Sequence, residues 1–157
     1  MKRFTITSVR QGMTPAAMFD HVGISVADLD AAADWYCRAL DLAKEFEFGL
    51  PHLAMRGVML LSRTGYRVEL LERAGSAAAG PAPGSPDEAV LRRGYGHMCL
   101  DIPDVDAAHA ALLAAGAADR MPPRPSPEPG IRMAFVADPE GNLIELIDRT
   151  SARARGQ

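Results

Sequence analysis

The chain has little cysteine. Cys37 and Cys99 are the only two in 157 residues, and they form no close pair. That removes a disulfide framework as the source of order. Two free thiols in a reducing, cytoplasmic setting are the expectation. A basic block is also missing. Lysine and arginine number 17 against 20 acidic residues, for a net charge of −3, so the electrostatic footprint of a nucleic-acid binder is absent. No apolar run approaches the length of a membrane-spanning helix. Near the start, the stretch FTITSV between Arg3 and Arg10 alternates rather than forming a continuous apolar region, which argues against a secretory signal.

What is present is ordinary for a globular protein: 48% hydrophobic and 24% charged residues. The length suits one domain or two small modules sharing a core.

The informative feature is an internal repeat. His21 and His97 stand 76 positions apart, and so do Glu69 and Glu145. FDHVGISVADLDAA (Phe19–Ala32) lies over YGHMCLDIPDVDAA (Tyr95–Ala108) at that offset. GYRVELLER (Gly65–Arg73) lies over GNLIELIDR (Gly141–Arg149) at the same offset and without a gap. Two separate blocks in register point to two copies of one module.

Each copy has the order βαβββ. In the first, Asp20–Val26 reads as a β-branched-rich strand, Asp28 caps a helix over Leu29–Leu40, and strands follow at Leu42–Phe48, Leu53–Ser62 and Arg67–Glu72. In the second, the strand Gly96–Ile102 leads through Pro103 and Asp104 into a helix stopped by Gly116. Strands then follow at Ala117–Arg120, Arg132–Val136 and Leu143–Asp148. The expected fold class is α+β, two tandem βαβββ modules forming a curved mixed sheet around a central cleft. The expected parts are an N-terminal extension (1–18), the first module (19–73), a linker (74–94), the second module (95–149) and a tail (150–157). Within the linker, SPDEAVLRRG (Ser85–Gly94) reads as a short helix with a Ser85/Glu88 capping box. The five prolines of MPPRPSPEPG (Met121–Gly130) predict irregular structure.

Strand alternation puts His21 on one face with Gly23 and Ser25, and Glu69 opposite Val68 and Leu70. His97 and Glu145 repeat that placement. If the modules pack as pseudo-symmetric halves, the two histidines and two glutamates can converge. A buried carboxylate is costly unless it is paired or on a metal. Two imidazoles and two carboxylates suit one divalent ion, Zn, Ni, Co, Mn or Fe. Taken singly, a strand glutamate is as readily a solvent-facing residue, and a strand histidine as readily a satisfied core or surface group. It is the set in register that points to a site. Cys99, Asp101 and Ser25 share its face as substrate-binding candidates. Met55, Met59 and Phe135 are pocket wall or simply core, and Trp35 and Tyr36 are core. His52 and His109 are expected to be exposed. Arg56, Arg63, Arg67 and Arg73 are either holders of an anionic substrate or a solvated face.

These blocks resemble the vicinal oxygen chelate superfamily, which includes glyoxalase I, methylmalonyl-CoA epimerase, extradiol dioxygenases, and the fosfomycin and bleomycin resistance proteins. The resemblance spans Phe19–Asp148, and MAFVADPEGNLIELID is its most specific part. It implies paired modules enclosing a metal, with His21, Glu69, His97 and Glu145 matching the four-ligand pattern of bacterial-type glyoxalase I. It implies a metal-dependent isomerase, epimerase or lyase that chelates vicinal oxygens of a small carbonyl substrate and stabilises an enediolate, with Glu69 or Glu145 as the catalytic base. It also implies a homodimer. Arg73 is a further substrate-binding candidate. Two departures point away from a glutathione hemithioacetal. Ile24 or Ser25 stands where glyoxalase I carries an arginine, and Glu72 and Arg73 stand where it tends to carry an asparagine. The alternatives are a non-catalytic binding protein of the drug-resistance type and an Fe(II) ring-cleaving dioxygenase. Neither nucleic acid nor membrane is an expected partner.

Overall fold

The computed structural model describes residues 18–78 and 80–150. The expected N-terminal extension and tail lie, apart from Met18 and Thr150, outside the described residues.

The first module runs β1 (His21–Ser25), α1 (Leu29–Leu40), β2 (Leu42–Leu50), β3 (Met55–Ser62) and β4 (Arg67–Arg73). A short helix, α2 (Pro86–Ala89), follows. The second module runs β5 (His97–Asp101), α3 (Val105–Ala114), β6 (Ala118–Pro125), β7 (Arg132–Ala137) and β8 (Leu143–Asp148). The strands form two four-stranded mixed sheets of identical order, β1-β4-β3-β2 and β5-β8-β7-β6. In each, the first strand runs parallel to the last and the other pairings are antiparallel.

The repeat keeps its 76-residue offset through the backbone. Leu61 faces Arg67 across one hairpin, and Ala137 faces Leu143 across the other. Asp28 caps α1 by accepting from the Ala31 N–H, and Asp104 caps α3 by accepting from that of Ala107. These caps satisfy amides that have no partner within the helix.

Alternation buries one face of each sheet under its helix. Val58, Leu60, Val68 and Leu70 in the first module, and Ala134, Val136, Ile144 and Leu146 in the second, are at most 1% exposed. They join Trp35, Tyr36 and Leu112 in one continuous core across both modules. A fully buried Val or Leu contributes about 1.5–3 kcal/mol, whereas an exposed ion pair contributes about 1 kcal/mol or less. The shared core, not the surface ion pairs, therefore holds the modules together.

Three expectations are corrected. The proline-rich stretch is not wholly irregular: β6 extends through Met121, Pro122, Pro123 and Pro125. It is an edge strand whose pairing with β7 shifts register twice, which is where a sheet tolerates residues that lack an N–H. The helix expected over Ser85–Gly94 forms only as α2. Its cap is present, since the Glu88 N–H donates to Ser85 Oγ. Beyond it, however, Val90 and Leu91 are 75% and 82% exposed, so no packing supports further turns. Finally, His109 is buried at 7% exposure, with Nε2 3.1 Å from Asp119 Oδ1.

Candidate functional site

Each module builds the same half-site on the sheet face turned away from its helix. Register sets it. Gly23 lies opposite Glu69 in the β1–β4 pairing, and Cys99 lies opposite Glu145 in the β5–β8 pairing. The histidine two positions earlier then leans over the same carboxylate. His21 Nε2 stands 3.6 Å from Glu69 Oε2, and His97 Nε2 stands 3.0 Å from Glu145 Oε2. Both imidazoles are about one-third exposed, while the carboxylates are more covered, at 21% and 16%.

The two halves differ in their surroundings. In the first, Asp20 Oδ1 lies 2.7 Å from His21 Nδ1. This contact fixes the ring and leaves Nε2 toward Glu69. His21 and Arg67 together hold the Asp20 carboxyl below its usual range. Gly23 leaves the space the carboxylate uses, since a Cβ there would meet Glu69 Oε2 at 3.2 Å. In the second, the counterpart of Gly23 is Cys99. Its residue is exposed, yet its thiol is pushed up to about 12, first by desolvation of the sulfur and then by the Glu145 charge and hydrogen bond. The His97 ring meets Phe135 edge-on at 5.1 Å. Phe135 packs with Met121 and Met133 as an apolar floor.

The four expected ligands are thus brought together two by two. No group of three or more histidine, cysteine, aspartate or glutamate side chains gathers at a metal-binding spacing among the described residues. Ser25 lies on the His21 face, and Asp101 on the His97 face, by strand alternation. Asp101 Oδ1 also accepts the Arg149 N–H at 3.0 Å. Of the four arginines, Arg56 pairs with Asp30 and Glu72, Arg63 with Asp41, and Arg67 with Glu45 and Asp20. Arg73 stands on the Glu69 face of β4, two residues beyond Leu71. Met59 and Phe135 are buried beside the glutamates they oppose in register, and His52 is exposed.

Two contributors escaped the sequence reading. Asp20 immediately precedes a candidate ligand, and Gly23 is a glycine inside a strand. A strand glycine often marks the close approach of another group, and that signal was available.

Two βαβββ modules of identical strand order, each presenting one histidine and one glutamate from its first and last strands, define a paired-module α+β architecture. The chain belongs to the Glyoxalase/Bleomycin resistance protein/Dioxygenase superfamily, whose family model matches residues 18–146. It is 28% identical over 137 residues to a probable lactoylglutathione lyase of Synechocystis sp., covering 85% of this chain and 96% of that one. A probable lactoylglutathione lyase of Vibrio cholerae is 37% identical over a shorter 60-residue stretch, 38% of this chain and 44% of that one. Among solved structures, the glyoxalase family protein of Bacillus cereus superposes with a TM-score of 0.70 at 20% identity, covering 88% of this chain and 97% of that one. Glyoxalase I of Zea mays superposes at 0.65 with 23% identity over 82% of this chain. The chain spans only 43% of the maize protein's length. These structures share the fold. No helix among the described residues is long and apolar enough to cross a membrane.

Proposed function

We propose that the protein is a divalent-metal-dependent isomerase or lyase acting on a small carbonyl compound with adjacent oxygens. Its site is made of His21 and Glu69 of one copy with His97 and Glu145 of a second. The observation that carries this reading is the duplicated His–Glu pair, at identical register on two open sheet faces, neither of which gathers a metal-binding group of three among the described residues. A pair alone is a poor metal site; two pairs make the N2O2 set that divalent first-row ions accept. Closed two-fold association brings unlike surfaces of identical chains together twice. Phe46 on the Glu69 sheet is 52% exposed. That is apolar surface for a second copy to cover.

The donor chemistry fits such an ion. His21 already has its Nδ1 engaged by Asp20, leaving Nε2 for ligation, and both glutamates sit within reach of their imidazoles. When bound, the ion supplies Lewis-acid polarisation of the substrate oxygens. The chain's own residues do the rest. Glu69 or Glu145 takes the proton from the carbon next to the carbonyl and returns it to the neighbouring position. Phe135 and Met59 exclude water from the flank of the carboxylates beside them. Arg73 offers a positive group to an anionic end of the substrate. Glu72 is not free for substrate, because it accepts the Leu29 N–H at 2.8 Å and pairs with Arg56.

The test is elemental analysis of wild type beside Glu145→Ala, followed by solvent-deuterium incorporation into α-hydroxycarbonyl compounds. About one ion per chain in wild type, lost in the variant, supports the site. A protein that neither holds nor rebinds metal would return the chain to the binding-protein reading.

A further inference from the structure

The two modules are related by a pseudo-two-fold, and that symmetry is broken on one side only. On the closed side, three hydrogen-bonded contacts tie the first module to the second. The Ala27 N–H donates to both Glu140 carboxylate oxygens, at 2.8 and 3.0 Å. Trp35 Nε1 donates to the Ala115 carbonyl at 3.0 Å. The Tyr36 hydroxyl donates to Asp138 Oδ2 at 2.8 Å. Trp35 and Tyr36 meet edge-to-face at 4.9 Å and are 4% and 1% exposed.

Moving each partner by 76 positions reaches the open side. There the three contacts have Pro103 with Thr64, Ala111 with Ala39, and Leu112 with Ser62. Proline has no N–H to donate, and neither alanine nor leucine has a polar atom to offer. The turn itself is preserved. Ser62 accepts the Tyr66 N–H at 3.0 Å as Asp138 accepts that of Asn142, and the Gly65 and Gly141 N–H groups close the same backbone bond. Only the side chains that would plug the space are gone. In their place is one end of a cavity of about 880 Å³, whose lining includes Ala111, Leu112, Ala39 and Ser62 there and reaches His97 and Cys99 at the other end. That volume falls in the range of small-molecule sites. Ile102 also lines it and is half-buried, whereas its counterpart Val26 is 2% exposed.

We propose that the helix-lined end of this intermodule cavity, which at its other end reaches the His97 face, binds a flat aromatic molecule of indole type carrying one N–H or O–H donor. The protein shows what fits: on the closed side its own indole fills the equivalent space. There the ring nitrogen donates to the carbonyl of Ala115, whose counterpart is Ala39. The Ala39 carbonyl lies in the last turn of α1, where carbonyls lack helical partners. The hydroxyls of Ser62 and Thr64 line the polar end. The nearby cations are neutralised, Arg63 by Asp41 and Arg67 by Glu45, which favours an uncharged ligand.

The test follows methyl NMR signals of the full chain during titration with indole, and with 1-methylindole, which lacks the donor. Saturable shifts at Ala108, Ala111 and Leu112 are expected, with 1-methylindole several-fold weaker. Ala111 is exposed, so Ala111→Trp should fold and plug the cavity, weakening indole at least about tenfold. Should it fail to fold, Ala111→Leu provides a smaller plug with the same expected direction. The proposal is overturned if shifts are absent or are confined to the sheet face carrying Glu69. It is overturned equally if a folded plug variant binds indole like wild type, or if these methyls prove to be covered by a second copy.

Discussion

The hydroxyl of Tyr36 donates to Asp138 across 102 positions of sequence, and both residues are buried at the seam between the modules. Burial and the adjacent carboxylates keep the phenol proton in place well above the usual tyrosine range. Asp138 is also occupied by the Glu140 and Asn142 amides and by the Asn142 side chain. Tyr36→Phe removes a buried donor from a carboxylate that keeps its other partners. A loss of about 1–2 kcal/mol in urea unfolding is expected, because bonds to charged groups lie near the upper end of the usual range. An unchanged midpoint would show that the seam does not depend on this contact.

Much of this architecture is readable in the amino-acid sequence. The 76-residue offset aligned His21 with His97 and Glu69 with Glu145, and period-two alternation then placed each pair on one face. Asp28 and Asp104 announced both helices through local capping chemistry. What escaped was set by distant partners. Trp35 and Tyr36 read as core, and they are, but their role in breaking the pseudo-symmetry depends on residues about 80 and 102 positions away. His109 is buried because β6 brings Asp119 to it. Proline content argued against a strand over Met121–Pro125, yet an edge position makes few demands on backbone donors. Whether four ligands meet within one chain depends on how modules are arranged, and alternation along a strand carries no information on that.

Asp20 offers a separate test of the candidate metal site. It contacts His21 Nδ1 but is not placed to ligate with His21 Nε2. Groups that orient a ligating imidazole typically affect metal affinity by 10- to 100-fold on removal. Asp20→Asn is therefore expected to weaken metal binding by about tenfold while the thermal unfolding of the metal-free protein stays close to wild type. The counterpart of Asp20 is Gly96, so the second half-site has no equivalent contact. Competition with a chelator measures the affinity directly. Equal affinity in variant and wild type would remove Asp20 from the site.

The proposal that two copies share the site is tested by complementation. His21→Ala damages the first half-site of every chain, and His97→Ala damages the second. Each homodimer then has both sites broken. In a mixed dimer, one site carries both lesions and the other carries none. Refolding the two variants together in equal amounts should restore about a quarter of wild-type metal content, since half the dimers are mixed and each regains one of its two sites. A site contained in one chain gives no recovery at any mixing ratio.

Glu72 sets a pH dependence unrelated to the metal. Its carboxylate accepts the Leu29 N–H at the start of α1 and pairs with Arg56 at 3.0 Å. The backbone bond first, and Arg56 second, hold its pKa below the ordinary glutamate value. A carboxyl depressed in the folded state favours folding above its unfolded pKa, about 4.3, and that contribution fades as pH falls through the lower folded value. Glu72→Gln keeps an acceptor for the amide but loses the charge facing both Arg56 and the helix N-terminus. The variant should melt below wild type at neutral pH, and the gap should close as the buffer is taken below the carboxylate range. Melting curves of the metal-free proteins from pH 7 to pH 3 supply the measurement. A gap that stays constant would assign the effect of Glu72 to packing of its side chain instead of its charge.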